Sequence, residues 1–348
     1  MKKNSAKIAF CIPLFNEEKS FSIINRNINL ILKILPSASF FFNDNHSNDK
    51  TYKKLLLIQK KWPNKIFIFR HSSNIGFSKN LSYFGQIADS IKERSKADYF
   101  QFLGADDEIT KKGLRHLIKQ TYSKKSANLI ISNWIYTESK GKLIRVVGDF
   151  DNLRKKVNNS LEQFLANKCY VPGGIMQYCI YKDKLSELIK YENEISPHVG
   201  VFFSSFPGRV VCAGPPGLCR VRKNQSSGWR KTSFGVISTH VMCFEMYIRF
   251  YTKAYKEKTI TKERWKLLMK QNSRFTWLIF KECKAGHWGK WAPTSRQKVL
   301  IFFAVLKGIL QVPLFYQLAN LRYLQKIFFK EFAGMLKAFF LKKLCIAK

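Results

Sequence analysis

The run Tyr99-Phe100-Gln101-Phe102-Leu103-Gly104-Ala105-Asp106-Asp107-Glu108 leads a short apolar stretch straight into three consecutive carboxylates. Adjacent acids at the carboxyl end of a strand suit a hard divalent cation. Such a cation takes oxygen ligands and commonly keeps one or two carboxylates together with the phosphates of a substrate. The same residues also suit a solvated turn in which an Asp caps the helix that starts near Thr110, and taken alone the run does not choose between the two.

The elements before this run must position it. Lys7 to Leu14 is a compact apolar segment ending at Pro13 and a polar turn, the pattern of a buried strand. From Glu17 to Leu35, Phe21, Ile24, Ile28, Ile31, Leu32 and Leu35 recur at three- and four-residue steps until Pro36 stops them, which predicts a helix. Phe40-Phe41-Phe42 predicts a second strand, followed by a helix over 51–61, a strand over 66–69, a helix over about 78–94 and the strand at 99–103. This alternation predicts an α/β fold: a mostly parallel sheet flanked by helices, with ligands gathered at the carboxyl ends of its strands. Beyond it, a helix over 111–122, strands over 128–134 and 142–147, a helix near 182–191 and the run Gly208-Arg209-Val210-Val211-Cys212-Ala213-Gly214 follow without strict alternation.

Of the 348 residues, 61 are Lys or Arg and 23 Asp or Glu, a net charge of +38 that calls for an anionic partner: nucleic acid, a phosphorylated ligand or an acidic membrane. From Arg222 onward 26 basic residues face 5 acidic ones, so the excess is concentrated toward the C-terminus. The segment 296–348 is rich in Phe, Leu and Ile with interspersed lysines. Lys307, Gln311 and Pro313 interrupt its best apolar run well short of the ~18 residues that span a bilayer. It reads instead as amphipathic helix lying on an anionic membrane surface, or as a helical subdomain packed on the core. The eight cysteines form no CxxC pair and no zinc spacing, which predicts buried reduced thiols in a cytoplasmic protein. The short apolar run at the N-terminus lacks a cleavage pattern and reads as a strand, not a secretion signal.

Four segments in order resemble the family 2 glycosyltransferases, which carry the nucleotide-diphospho-sugar-binding GT-A fold. Ile8 to Glu18 is similar to the family's first strand and Pro-x-x-Asn-Glu turn; Asp44-Asn45-His46-Ser47-Asn48-Asp49-Lys50-Thr51 resembles its Asp-x-x-Ser-x-Asp-x-Thr segment. Asn74-Ile75-Gly76-Phe77-Ser78-Lys79-Asn80 resembles the Asn-x-Gly opening of the next helix, and Ala105-Asp106-Asp107 falls at the acidic metal motif. Many relatives have an acid where this chain has Gly104. The resemblance implies a divalent cation (Mg or Mn) on Asp107, Asp106 at the ribose or phosphate side, and Asp44 accepting hydrogen bonds from a base. By the same resemblance Pro13, Phe15 and Glu17 line the base pocket, while Asn74, Gly76 and Lys79 (or Asn80) approach ribose and phosphates; a turn and a helix cap explain the latter set equally well.

The resemblance also implies a base that deprotonates the acceptor hydroxyl. Val171-Pro172-Gly173-Gly174 looks like the segment near donor sugar and acceptor. The Glu-Asp pair of most relatives is missing here: Glu192-Asn193-Glu194-Ile195-Ser196-Pro197-His198 stands in its place. His198 is the leading candidate, because it directly precedes an apolar helix-like run, as the family's pair does, and an unperturbed imidazole has a pKa near neutrality, with Glu194 the alternative. Arg220 and Arg222 resemble the basic end of the catalytic region, placed to clamp a diphosphate, or else belong to a solvated loop.

These implications predict a catalytic domain over 1–230, nucleotide-binding over 1–107 and acceptor-binding over 108–230, and a basic, membrane-associating helical region over 231–348. The expected activity is inverting transfer of a sugar from a nucleoside diphosphate donor, UDP favoured, to a lipid-linked or polysaccharide acceptor, of the bacterial surface-polysaccharide type. It would act from the cytoplasm, peripherally on the inner face of the cell membrane, with no nucleic-acid partner. Three rivals stand beside it: a basic nucleic-acid-binding protein, although no RNP-like or zinc module appears; a nucleotidyltransferase, although no Gly-rich phosphate loop appears; and a non-catalytic scaffold.

Overall fold

The computed structural model describes residues 7–122, 127–137, 143–147, 157–168, 171, 174–206, 208–213, 217–222 and 246–269. The chain divides into two compact units, one formed by 1–228 with 257–264 and the other by 229–256 with 265–348.

The first unit is built on two sheets. Strands β1 (Ile8–Leu14), β2 (Ser39–Asp44), β3 (Ile66–Arg70), β4 (Tyr99–Phe102), β6 (Leu129–Ser132), β9 (Val157–Asn158), β10 (Tyr178–Tyr181) and β11 (Val210–Ala213) make an eight-stranded sheet in the order β3-β2-β1-β4-β10-β6-β11-β9. The first four run parallel, β10 is antiparallel to both its neighbours, and β11 is parallel to β6. The second sheet orders β5 (Glu108–Ile109), β12 (Cys219–Arg222), β7 (Trp134–Thr137) and β8 (Leu143–Val147) as β5-β12-β7-β8.

Every residue of β1 and β2 is buried, as expected where helices cover both faces of a parallel sheet and the strands read as unbroken apolar runs. Phe10, Phe40 and Phe42 stack on one face (ring centroids 5.5 and 6.5 Å apart), while Phe41 stacks on Phe67 at 4.9 Å on the other. Helix α1 (Phe21–Ile34) lays Ile24, Ile28 and Ile31 against this core, and Asn27 shares the buried stripe. Helices α2 (Thr51–Lys61) and α5 (Lys111–Thr121) stand where expected, α7 (Pro197–Ser204) covers most of the apolar helix-like run after His198, α6 (Leu161–Lys168) is not among the expected helices, and Thr110 caps α5 by accepting from Gly113 N–H at 3.0 Å.

The structure corrects several boundaries. The helix expected from Glu17 begins as a 3-10 turn over Glu18–Ser20 and becomes α-helical only at Phe21. The helix expected over 78–94 is two, α3 (Phe77–Gln86) and α4 (Ala88–Ser95). The break follows Gly85, where the 3-10 helix over Lys182–Tyr191 comes so close that a Cβ would meet Leu185 O and Leu188 Cβ at 3.1 Å. The strand expected over 128–134 splits at Asn133 into β6 and β7, which belong to different sheets, with Asn133 O accepting from Leu218 N–H at 2.7 Å. Cys11, Cys179, Cys212 and Cys219 are buried free thiols; Cys169, Cys243, Cys283 and Cys345 lie outside the described residues. In the second unit, described helix covers 246–256 and 265–269. The amphipathic segment 296–348 lies outside the described residues. Among those described, no helix is long and apolar enough to cross a membrane.

Candidate active site

The carboxyl ends of β1, β2 and β4 lie side by side, because β1 pairs in parallel with both of the others: Leu14 opposite Asp44, Cys11 opposite Phe102. Three loops leave this edge or approach it, and their own side chains tie them together. Glu17 N–H donates to Thr51 Oγ1 (2.8 Å), Glu18 N–H to Asp49 Oδ2 (3.0 Å) and Asn16 N–H to Ser47 Oγ (2.9 Å), while Asn16 Oδ1 accepts from Asn48 N–H (3.0 Å). Asn16 and His46 adopt left-handed backbone, at φ 55° and 60°, a region that Asn and His enter more readily than most residues. Asn45, itself buried, then carries the second loop to the third: its Nδ2 donates to Asn74 Oδ1 at 2.8 Å and its Oδ1 accepts from Ile75 N–H at 2.9 Å. Asn74 Oδ1 also accepts from Gly76 N–H, forming the turn that opens α3, and Gly76 adopts φ 81° and ψ 164°, a conformation reserved for glycine.

Asp44 is wholly buried and ion-paired: Arg70 Nε stands 3.2 Å from Oδ2, and Ser47 N–H points at both carboxylate oxygens. Arg70 in turn lies 4.2 Å over the Tyr52 ring and donates to Ser47 O. A carboxylate has about four lone-pair sites, so these contacts leave Asp44 acceptor capacity for a base N–H. Pro13 is buried in β1, whereas Phe15 at the loop tip is 39% exposed. Lys79 is exposed on α3, and Asn80 is buried and exchanges hydrogen bonds with Asn43.

Asp106 is half-buried and Asp107 buried, in the turn between β4 and β5 that Asp107 N–H closes onto Gly104 O at 3.2 Å. Both carboxylates lie over Gly104. A Cβ built there would collide with Asp107 Oδ2 and stand 3.3 Å from Asp106 Oδ1. The glycine thus opens a cradle in which two acidic side chains converge, the donor set a hard cation takes alongside phosphate oxygens. Among the described residues no group of three or more His, Cys, Asp or Glu forms a closed metal cage. Glu17 lies within electrostatic reach of Asp106 and Asp49. Burial chiefly, and then those two charges, push its carboxyl up to about 7 against an opposing hydrogen bond with Ser20. Burial, and then the nearby Asp107, hold the Cys219 thiol well above its ordinary range.

The acceptor-side candidates sit on other elements. His198 occupies the first turn of α7 with 1% exposure, edge-on to Tyr178 at 4.8 Å between ring centroids. Glu194 is half-buried in the turn ahead of that helix. Gly174 N–H donates to Gln177 Oε1 at 3.1 Å, and Gln177 Nε2 donates to Ser132 O, fixing the approach to β10; Gly173 lies outside the described residues. Arg220 is exposed on β12, opposite Glu108 and so one register step from Asp107; of Arg222 only the backbone, opposite Thr137, is described.

Two supporting residues, Asn27 and Arg70, lie outside every segment the sequence singled out, while Asn45 and Thr51 stand inside the Asp44–Thr51 segment with no supporting role assigned to them. Asn27 left the clearest trace, a lone amide in the apolar stripe of α1.

A family model, glycosyl transferase family 2, matches residues 9–182, half of the chain, running from β1 through β10. No curated protein matches the sequence. Among solved structures, residues 1–349 of Staphylococcus aureus TarS in complex with UDP-GlcNAc superpose with a TM-score of 0.59 at 14% identity, covering 88% of this chain and 82% of that one. The complex of the same protein with UDP gives 0.53 at 12%, covering 88% and 81%. Identity this low speaks for fold only, and the family match supplies the rest: the chain belongs to glycosyl transferase family 2 and is a glycosyltransferase of the GT-A fold.

Proposed function

We propose that the protein transfers a sugar, with inversion, from a nucleoside diphosphate donor to a hydroxyl of a lipid-linked or polysaccharide acceptor. The observation that carries this reading is the convergence of Asp106 and Asp107 over Gly104, on the sheet edge that also presents Asp44 and the loop of Phe15 and Glu17. UDP is the favoured carrier, because TarS, similar in fold, has been crystallised with UDP and UDP-GlcNAc. Asp44 accepts from the base, the 13–17 loop flanks it, and Asn74, Gly76 and Lys79 line the approach to ribose and phosphates. A divalent cation, Mg or Mn, held by Asp107 would supply Lewis-acid stabilisation of charge on the departing diphosphate. Asp106 holds the ribose or phosphate side, with Arg220 and Arg222 as the outer clamp and Gly173-Gly174 beside the donor sugar.

A general base must come within hydrogen-bond reach of the proton it removes. Exposure favours Glu194, which is half-buried, over His198, which is 1% exposed. Glu194→Gln with turnover unchanged, and His198→Ala with turnover abolished in a folded protein, would return the role to His198.

Calorimetric titration with UDP and GDP, with and without Mn²⁺, tests the site. UDP is expected to bind more tightly with the cation, and Asp107→Asn to erase the difference; no cation-dependent binding of either nucleotide refutes the reading. The domain scheme follows the same proposal, with catalysis in 1–230 and a basic region from 231 that meets the inner face of the membrane. Its support is the charge distribution and the apolar-basic pattern of 296–348. Flotation on anionic liposomes checks it: a chain truncated after Arg296 should lose binding, and undiminished binding removes the tail as anchor.

A further inference from the structure

We propose that Asn27 on α1 is a positioning residue for the cation ligand Asp107, fixing the main chain that carries its carboxylate. The inference rests on the reading of Asp107 given above. Asn27 lies in the buried stripe of α1 between Ile24, Ile28 and Ile31, at 3% exposure, where an aliphatic side chain would complete the apolar face. Its amide instead spans the acidic turn: Nδ2 donates to the carbonyl of Asp107 at 2.7 Å and Oδ1 accepts from Ile109 N–H at 2.9 Å. The same helix places Arg26 Nε 3.9 Å from the carboxylate of the intervening Glu108. One helix therefore grips three consecutive residues, two through main chain and one through side chain.

The opposite side of this segment is also fixed. Ile109 and Glu108 pair with Cys219 and Arg220 of β12, and Thr110 N–H donates to Leu218 O at 2.8 Å. Asp107 thus stands between a helix anchored in the core and the edge of a second sheet, with its Oδ2 against Gly104. The chemistry of the clamp dictates the residue type, since a carbonyl needs a donor and an N–H needs an acceptor, and among side chains of this length only Asn offers both. Asp keeps the acceptor but turns a carboxylate oxygen toward the Asp107 carbonyl, and Ala removes both bonds. Mg²⁺ demands near-ideal octahedral geometry, so a ligand whose backbone shifts should lose Mg²⁺ more than the tolerant Mn²⁺.

The test uses the full chain with UDP, reading Mn²⁺ binding from the loss of the free-ion EPR signal and Mg²⁺ binding by competition. Melting temperature and cation-free UDP binding are recorded alongside. Outer-shell partners of metal ligands typically contribute 10–100-fold to affinity, so Asn27→Ala and Asn27→Asp should each weaken Mn²⁺ about 10-fold or more. They should also widen the Mn²⁺/Mg²⁺ ratio and leave cation-free UDP binding within about twofold of the native value. A merely structural amide predicts a lower melting temperature with unchanged metal affinity and ratio. That result in a folded Asn27→Asp protein, the variant of the same shape, overturns the proposal. Asp107→Asn separates the two levels: if native protein binds Mn²⁺ no better than Asp107→Asn, the reading of the site falls, whereas loss in Asp107→Asn with no change in either Asn27 variant sinks only the positioning role.

Discussion

Replacing Gly104 with alanine should separate activity from stability, and the structure shows why. The added methyl group would overlap Asp107 Oδ2, stand 3.1 Å from its Cγ and lie 3.3 Å from Asp106 Oδ1, whereas ordinary contact begins near 3.4 Å. The Asp107 carboxylate must therefore swing away by about 1 Å, a displacement that costs on the order of 100-fold in rate when it falls on a reacting constellation. Gly104 is not among the left-handed residues of the described chain, so alanine meets no backbone strain there. It even removes some conformational freedom from the unfolded chain, a gain of about 0.4–1 kcal/mol set against the crowding. The expected outcome is a melting temperature within a few degrees of native, a fall of about two orders of magnitude in the rate of sugar transfer, and weakened Mn²⁺ binding. Gly104→Asp, which restores the acid many relatives carry, should do worse, because it adds charge where Oδ2 already sits. A Gly104→Ala enzyme with native turnover and native Mn²⁺ dependence would refute the cradle, and with it the claim that these two carboxylates must converge to work.

Two further outcomes follow from the loops. Thr51→Val preserves shape but leaves Glu17 N–H without its 2.8 Å acceptor; it should cost about 1–3 kcal/mol and raise the KM for donor more than it lowers kcat, and steady-state kinetics with native values would argue against the interlock. Glu17 has a carboxyl raised to about 7, so the native state holds its proton more tightly than the unfolded chain. The resulting stability is present below the ordinary value of 4.5 and is lost as pH rises through about 7. Without added cation, native protein should lose melting temperature between pH 5 and 7.5 and Glu17→Gln should lose less; parallel curves would show that Glu17 is not the group responsible.

Much of the candidate site was legible one segment at a time. Apolar runs ending in polar turns marked β1, β2 and β4, and the order of Asn16-Glu17, Asp44 to Thr51, Asn74 to Gly76 and Asp106-Asp107 carried the family resemblance that residues 9–182 bear out. Local patterns fared worse where packing decides. Ser132-Asn133 interrupts the apolar run over 128–134 where β6 and β7 part, but a polar pair alone does not say that the two halves join different sheets. Nor does any local pattern show that α3 ends one residue after Gly85, against which the 3-10 helix over Lys182–Tyr191 packs.

The chain by itself determined which residue types stand at the ends of its strands, since turn chemistry and periodicity are properties of neighbours in sequence. Only the tertiary structure decided what holds them. Arg70 reaches Asp44 across 26 positions, Thr51 supports Glu17 across 34 and Asn27 grips Asp107 across 80. Such pairings depend on which strands lie side by side and which helix covers them. Hydrogen bonds act over about 3 Å in space, whatever the distance along the chain.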